Sequence, residues 1–449
     1  MKNKKPSFPE VRLFGQAMNE LGHSSIAEYL FKYLNDLKAK TYVIENEYID
    51  KDYLIDYSNF YARSFDVKEK FTIRLHFFSA YFPKEDIKQV LIECDDKILE
   101  KLNDRYLGFI VIKPIPDSNG NPIIGRTILK TYPLKDNNEC RFFITGQHDV
   151  SFFGIPLKIE SLPFQTQDEA VGACATAACW ISSHPLSSLF GIPKYSPFEV
   201  TEKSVFFPFP GRNFPSEGLS LYQMKNYFNS IGLETEFIDV RNIRKYEGYT
   251  DDDDIVADIV KAYTKIGLPI IATLRLVGHQ KNHDFHAAVI SGYRHKHGIL
   301  KELYVHDDRI GPYSKVIPVG KFTKWDNEWV RSGEFSNLFV DQLVIPIYPK
   351  IRLSFARIYN VFINKHKRVV NQLEPILGIK FTPSLYLMEI RQYKKFIWEH
   401  QCKNKEEILI KPFPRFFWII RYSYHGTPMM DYVYDGTSVF AEEFCIIEY

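Results

Sequence analysis

Residues 165–180 read Gln-Thr-Gln-Asp-Glu-Ala-Val-Gly-Ala-Cys-Ala-Thr-Ala-Ala-Cys-Trp. A glycine and a small residue precede Cys174, and an alanine-rich stretch that favours helix follows it. The pattern predicts a helix from 174 to about 184 with Cys174 at its N-terminus. The unpaired N–H groups and the dipole of such an end favour thiolate over thiol. A thiolate is a nucleophile, so the position suits covalent catalysis. A buried structural cysteine in an alanine-rich core helix reads the same stretch equally well. Cys179 lies five residues further on, about 140° around the helix by its 3.6-residue period, and reads as core.

A thiolate nucleophile needs a base. Residues 283–293 read His-Asp-Phe-His-Ala-Ala-Val-Ile-Ser-Gly-Tyr, and His286 opens an apolar strand there. At the mouth of a strand an imidazole reaches a cleft while the strand fixes its backbone. Taken alone, a structural histidine explains it as well. His279, His283 and His286 also suggest a metal cluster, but they sit in a Gly/Asn-rich loop leading into a strand, with no Cys or Glu close by to complete four ligands. The base in turn needs a group that fixes its tautomer. Residues 303–313 read Leu-Tyr-Val-His-Asp-Asp-Arg-Ile-Gly-Pro-Tyr, an apolar strand running into acids before Gly311-Pro312 turns the chain. His286 and Asp307 are 21 residues apart, a spacing that fits a hairpin bringing an acid at the end of one strand to the His at the start of the other. Asp307 is the first acid after the strand and the candidate; Asp308 is the alternative. For either one alone, a turn or Arg-pairing carboxylate is the plainer reading.

The three segments together resemble papain-like cysteine peptidases. The shared order is Cys at the head of a small-residue helix after a Gln, then His-Ala-x-Val-x-x-Gly-Tyr, then a strand ending in an acid. The bacterial branch that processes leader peptides is similar in having Asp as its third residue. The resemblance covers roughly residues 160–320. It implies Cys174 as nucleophile, His286 as general base and acid, and Asp307 as orienting residue. It also implies a Gln that shares the oxyanion with the Cys174 N–H. Gln167 lies seven residues before Cys174 and Gln165 nine, slightly further than the family spacing. Gln167 is favoured and Gln165 kept. Ala175 stands where papain has a Trp. Tyr106-Leu107-Gly108-Phe109 and Gly125-Arg126-Thr127 also resemble uncharacterised bacterial proteins of this general type, without implying a function.

The 449 residues contain 45% apolar and 25% charged side chains, enough apolar mass for a substantial core and enough length for two to four domains. Lys+Arg 57 against Asp+Glu 55 leaves +2, too little for a global field that attracts nucleic acid or an anionic membrane. Six cysteines exclude a disulfide scaffold. No apolar run reaches the length of a membrane-spanning helix. The N-terminus is basic, but Pro6, Pro9 and Glu10 interrupt any apolar signal region, and no lipidation motif is visible. The expectation is a cytoplasmic protein with reduced thiols, bound neither to nucleic acid nor to membrane.

The expected fold class is α+β: a papain-like core over 151–349, with a helical half and an antiparallel β-sheet half, between an N-terminal α/β region over 1–150 and a C-terminal helix-plus-strand region over 350–449. Ser25-x-x-Glu28 predicts a capped helix, and strands follow over 41–49, 71–78, 107–114 and 123–132, with one helix over 84–102. Ser220 with Gln223 predicts a second cap, and the run 251–254 reads as a helix start rather than a metal loop. A long helix is expected over 351–373, with Lys365 to Arg368 as a solvated basic face. The resemblance implies a peptide or protein substrate, with flanking regions that suit a regulatory protein partner. It implies no metal and no organic cofactor. The same triad would serve an acyltransferase or transglutaminase-like enzyme, and an inactive papain-like binding protein is the alternative from another class.

Overall fold

A computed structural model describes residues 8–63, 68–93, 95–136, 139–167, 173–206, 218–245, 254–280, 282–296 and 298–449. It is an α+β structure in which the described strand pairs are antiparallel. Among the described residues no helix is long and apolar enough to cross a membrane.

The N-terminal sheet is a five-stranded meander in chain order: Glu10–Leu13, Thr41–Tyr48, Thr72–Phe78, Tyr106–Pro116 and Pro122–Leu129. Helix Ser25–Asp36 shares a core with Tyr42, Phe77 and Ile110 of this sheet through Leu30, Tyr33 and Leu34. Phe78, Phe109 and Val111 of the sheet pack into a second core with Val150, Phe152, Leu157 and Ile159 of the hairpin Gly146–Phe152 and Ile155–Ser161. Covering both faces explains why residues 106–113 are all buried instead of alternating. The cap of helix Ser25–Asp36 is Ser24, one residue before the expected Ser25: extended Ser24 accepts from the Ala27 N–H at 3.3 Å. The single helix expected over 84–102 is two, Lys84–Glu93 and Asp96–Arg105. The Asp95 carboxylate starts the second by accepting from the N–H groups of Lys97 and Ile98.

The central sheet has nine strands, and six of them form a closed ring. Ile270–Val277, His283–Lys296, Ile299–Asp307, Gly311–Val319, Lys321–Asp326 and Asn337–Ile347 pair in chain order. Asn337–Ile347 then returns to pair with Ile270–Val277. Closure removes the free edges that an open sheet would expose. Glu139–Phe143 extends the sheet from His283–Lys296, and Glu234–Asp239 extends it from Asn337–Ile347. Helix Cys174–Phe190 packs on His283–Lys296. Ser220 and Gln223 form the expected capping box at the head of Leu221–Ser230. Asp254 caps Ile255–Thr264, as the helix-start reading expects, while 251–253 lie outside the described residues. In the C-terminal part, helix Phe355–Arg368 passes through a π-helical turn, Val369–Leu373, and a four-stranded sheet follows from Thr382–Glu389 to Glu443–Glu448. Lys365 is not simply solvated: it lies over the Tyr432 ring and pairs with Glu443 at 2.6 Å. One hydrophobic cluster runs through all three sequence regions, from Phe14 to Tyr434.

Helix Ser25–Asp36 also docks on the turn that follows Asp307. The Tyr29 hydroxyl donates to the Pro312 carbonyl at 2.8 Å, and the Tyr33 and Tyr313 rings stack at 6.1 Å. Gly311 lies directly under Tyr29: it has φ +148°, and a Cβ there would fall 2.2 Å from the Tyr29 ring. The ring is pinned by its own hydrogen bond and cannot move aside freely. Gly320 also has positive φ, +80°, but faces open space. Gly311→Ala is therefore expected to cost about 2–4 kcal/mol, combining backbone strain with overpacking. Gly320→Ala should cost only the conformational part, about 1–2 kcal/mol. Urea unfolding of the two variants measures the difference; equal midpoints would remove the argument for a fixed Tyr29 contact.

Candidate active site

Helix Cys174–Phe190 begins where expected. Its N-cap is Ala173, whose side chain makes no capping bond, so Cys174 occupies the first turn beside backbone N–H groups that the cap does not satisfy. Cys174 is half-buried, whereas Cys179 is fully buried in the core and its thiol pKa is pushed up by burial and then by Cys174. Residues 175–183 are all buried, so the helix is held along its length.

His286 is the first buried residue of its strand, after exposed His283, Asp284 and Phe285. Its neighbour in the ladder is Leu274 on one side. On the other side the hairpin to Ile299–Asp307 pairs Val289 with His306. That register brings the acids after His306 to the imidazole. Nε2 of His286 lies 3.1 Å from Asp307 Oδ1 and 3.4 Å from Asp308 Oδ1. The Cys174 side chain is close enough to the imidazole to help raise its pKa. With Nε2 turned to the acids, Nδ1 is the ring atom left to serve the sulfur. The edge of the Trp329 ring packs on the imidazole at 4.8 Å. His286, Asp307 and Asp308 are 5%, 2% and 3% exposed, so their charges act with little solvent screening.

The two acids differ in their hydrogen bonds. Asp307 Oδ1 accepts from the N–H groups of Arg309 at 3.0 Å and Ile310 at 3.3 Å as well as facing Nε2. Both oxygens of Asp308 are buried and lack a hydrogen-bond partner. Burial raises the Asp308 pKa, against the pull of the imidazole. Burial alone would depress the His286 imidazole. Asp307, by charge and hydrogen bond, then the nearby Cys174 and the charge of Asp308 outweigh it, and the imidazole pKa stands well above the ordinary 6.5. The next histidine, His306, is a core group: Nε2 donates to the Leu162 carbonyl at 3.1 Å, and burial lowers it to about 3, so it stays neutral.

The structure thus brings Cys174, His286, Asp307 and Asp308 together. It does not bring His279 and His283 to His286: His279 bonds the Gly333 carbonyl at 2.8 Å, and His283 is exposed. The residues grouped closely enough to ligate a metal are instead His286, Asp307 and Asp308, with donor atoms within 4.8 Å of one another. Gln165 is buried in a segment stitched to Pro122–Leu129 by the Phe164–Thr127 bridge, and Thr166 bonds the Ile124 carbonyl. Gln167 is half-buried and stands just before 168–172, which lie outside the described residues. Among the described residues no hydrogen bond ties either glutamine to Cys174. Trp329 carried no sequence signal. It comes to the imidazole from a four-residue helix, Glu328–Arg331, 43 positions along the chain. Arg309 covers the outer side of Trp329 at 5.0 Å and pairs with Glu334. No protein-family model matches the chain, and no curated protein aligns with it significantly.

The sign of the histidine shift fixes a pH dependence. A folded-state pKa above the unfolded one means that the imidazolium interactions stabilise the fold fully below the ordinary histidine pKa. That contribution is lost as pH rises through the raised value. The stability gap between wild type and His286→Gln should therefore be largest in mild acid and shrink in alkali. Urea unfolding at a series of pH values measures it; a gap that widens with pH would contradict the site described.

Proposed function

We propose that this chain is a cysteine peptidase of papain-like type that cuts a peptide or isopeptide bond through an acyl-enzyme. The observation that carries the reading is the convergence of side chains from positions 174, 286 and 307: Cys174 at the head of its helix and close enough to the imidazole to act on it, and the 3.1 Å contact of His286 with Asp307. In this reading Cys174 Sγ, as thiolate, attacks the carbonyl carbon, and the carbonyl π pair moves onto oxygen. The Cys174 N–H and the Gln167 side chain, with Gln165 as the alternative, hold that oxyanion. The C–N bond then breaks, and His286 Nδ1 gives its proton to the departing amine. Water next loses a proton to Nδ1 as its oxygen attacks the thioester carbon. The C–S bond breaks, the acid leaves and the thiolate is restored. Nε2–H stays on Asp307 throughout, which fixes the tautomer that cycles.

An amine in place of water would turn the same intermediate to acyl transfer. The substrate is a peptide or protein, and the working compartment is a reducing one such as the cytoplasm. All five described cysteines are free, including exposed Cys140.

Cys140 supplies an internal standard. Sparing iodoacetamide near neutral pH, followed by peptide mapping, should modify Cys174 at least about tenfold faster than Cys140, because His286 stands ready to take its proton. His286→Ala should remove the preference. With a cleavable substrate found by peptide-library screening, Cys174→Ala should lower turnover by about 10⁴-fold or more, and Asp307→Asn by about 10²–10⁴-fold. Equal labelling of the two cysteines, or turnover retained without Cys174, would overturn the reading. Added amines with mass detection of conjugates separate hydrolysis from transfer.

A further inference from the structure

We infer that His286, Asp307 and Asp308 form a binding site for one zinc-like divalent cation, lying against Nε2 and separate from the thiol. The binding claim is independent of the peptidase reading. Its consequence, reversible inhibition, rests on that reading.

The argument starts from Asp308. A carboxylate 3% exposed with neither oxygen hydrogen-bonded leaves acceptor capacity stranded away from water, an expensive arrangement unless something occupies it. Its Oδ1 faces His286 Nε2 at 3.4 Å, and Asp307 Oδ1 faces the same nitrogen at 3.1 Å. A tetrahedral zinc ion with bonds of about 2.0–2.2 Å needs ligand atoms about 3.3–3.6 Å apart. The two edges at Nε2 match within a few tenths of an ångström, and the third, between the carboxylates, is at most 4.8 Å. The donor set of one imidazole and two carboxylates suits zinc and its first-row neighbours better than calcium, which takes six to eight oxygens. The backbone N–H groups of Arg309 and Ile310 already orient Asp307, the kind of outer support that ligating carboxylates receive.

A cavity lies next to the cluster but is not lined by His286, Asp307 or Asp308 themselves. Three protein ligands leave the fourth place for water. The cavity, of about 540 Å³, is lined by Arg309, Ile310 and Trp329, the residues beside the acids and against the imidazole, together with Tyr29 and Glu328. Cys174 lies across the imidazole, and Arg309, which is paired with Glu334, acts on Asp308. Metal binding replaces the Nε2 proton, which leaves to solvent. The ring is then held with hydrogen on Nδ1 and cannot take the proton that catalysis requires of it.

The test uses the full chain, stripped of metal with a chelator and dialysed. Co²⁺ is titrated in and followed by visible absorption, and Zn²⁺ is then used to displace it. The expected result is one equivalent bound, with the intense band of a low-coordinate Co²⁺ site and no thiolate charge-transfer band. Cys174→Ala should bind as wild type does, and Asp308→Asn should bind at least about tenfold more weakly. X-ray absorption of the zinc-loaded wild type needs no variant and should show only N/O ligands, one of them imidazole. Absence of stoichiometric binding, wild-type affinity in Asp308→Asn, or a Zn–S distance near about 2.3 Å would overturn the inference. Because binding is read directly, a chain that binds zinc on titration yet cleaves no substrate in its metal-free form would sink the peptidase reading and leave the metal site standing.

Discussion

The buried contact between His286 and Asp307 is the constraint around which the rest is arranged. An imidazolium and a carboxylate taken out of water lose several kcal/mol of hydration each, and only good geometry returns it. Two backbone N–H groups steady the acid, and the Trp329 edge confines the ring. The hairpin register supplies the alignment: Val289 faces His306, so the imidazole and the acids fall at the same end of neighbouring strands. A slip by one residue would send one of the partners to the opposite face of the sheet. A closed ring of strands resists that slip better than an open sheet, because each strand is held from both sides.

What was legible in the sequence was local. Cys174 at a helix head follows from Gly172, Ala173 and the alanines after it, and the Ser220–Gln223 cap follows from two residues three apart. The hairpin was legible from the 21-residue spacing and from apolar runs that end in acids. The choice between Asp307 and Asp308 was not, because successive strand residues should point apart. The ladder shifts register between Val305 and Asp307, and that irregularity turns both acids toward one nitrogen.

The parts that could not be read are long-range. Nothing near Trp329 announces that it will meet His286. Closure of the ring joins Ile270–Val277 to Asn337–Ile347 across three intervening hairpins, and the apolar patterns of those strands are the same in an open sheet. His306 stands directly before the acids in the sequence, yet its environment differs from that of His286. Burial keeps it a neutral core group, with its Nε2 spent on the Leu162 carbonyl. Gln165 likewise turns out to belong to the seam with the N-terminal sheet.

The contact of Tyr29 with Pro312 spans 283 residues of chain. During synthesis the N-terminal helix emerges early, but the turn it braces emerges only after two thirds of the chain, and the last strand of the ring later still. The acid-bearing turn therefore takes its final form only when most of the protein is already made. The thiol translated at position 174 would stay without its assembled neighbours while the nascent chain is still threaded through the ribosome.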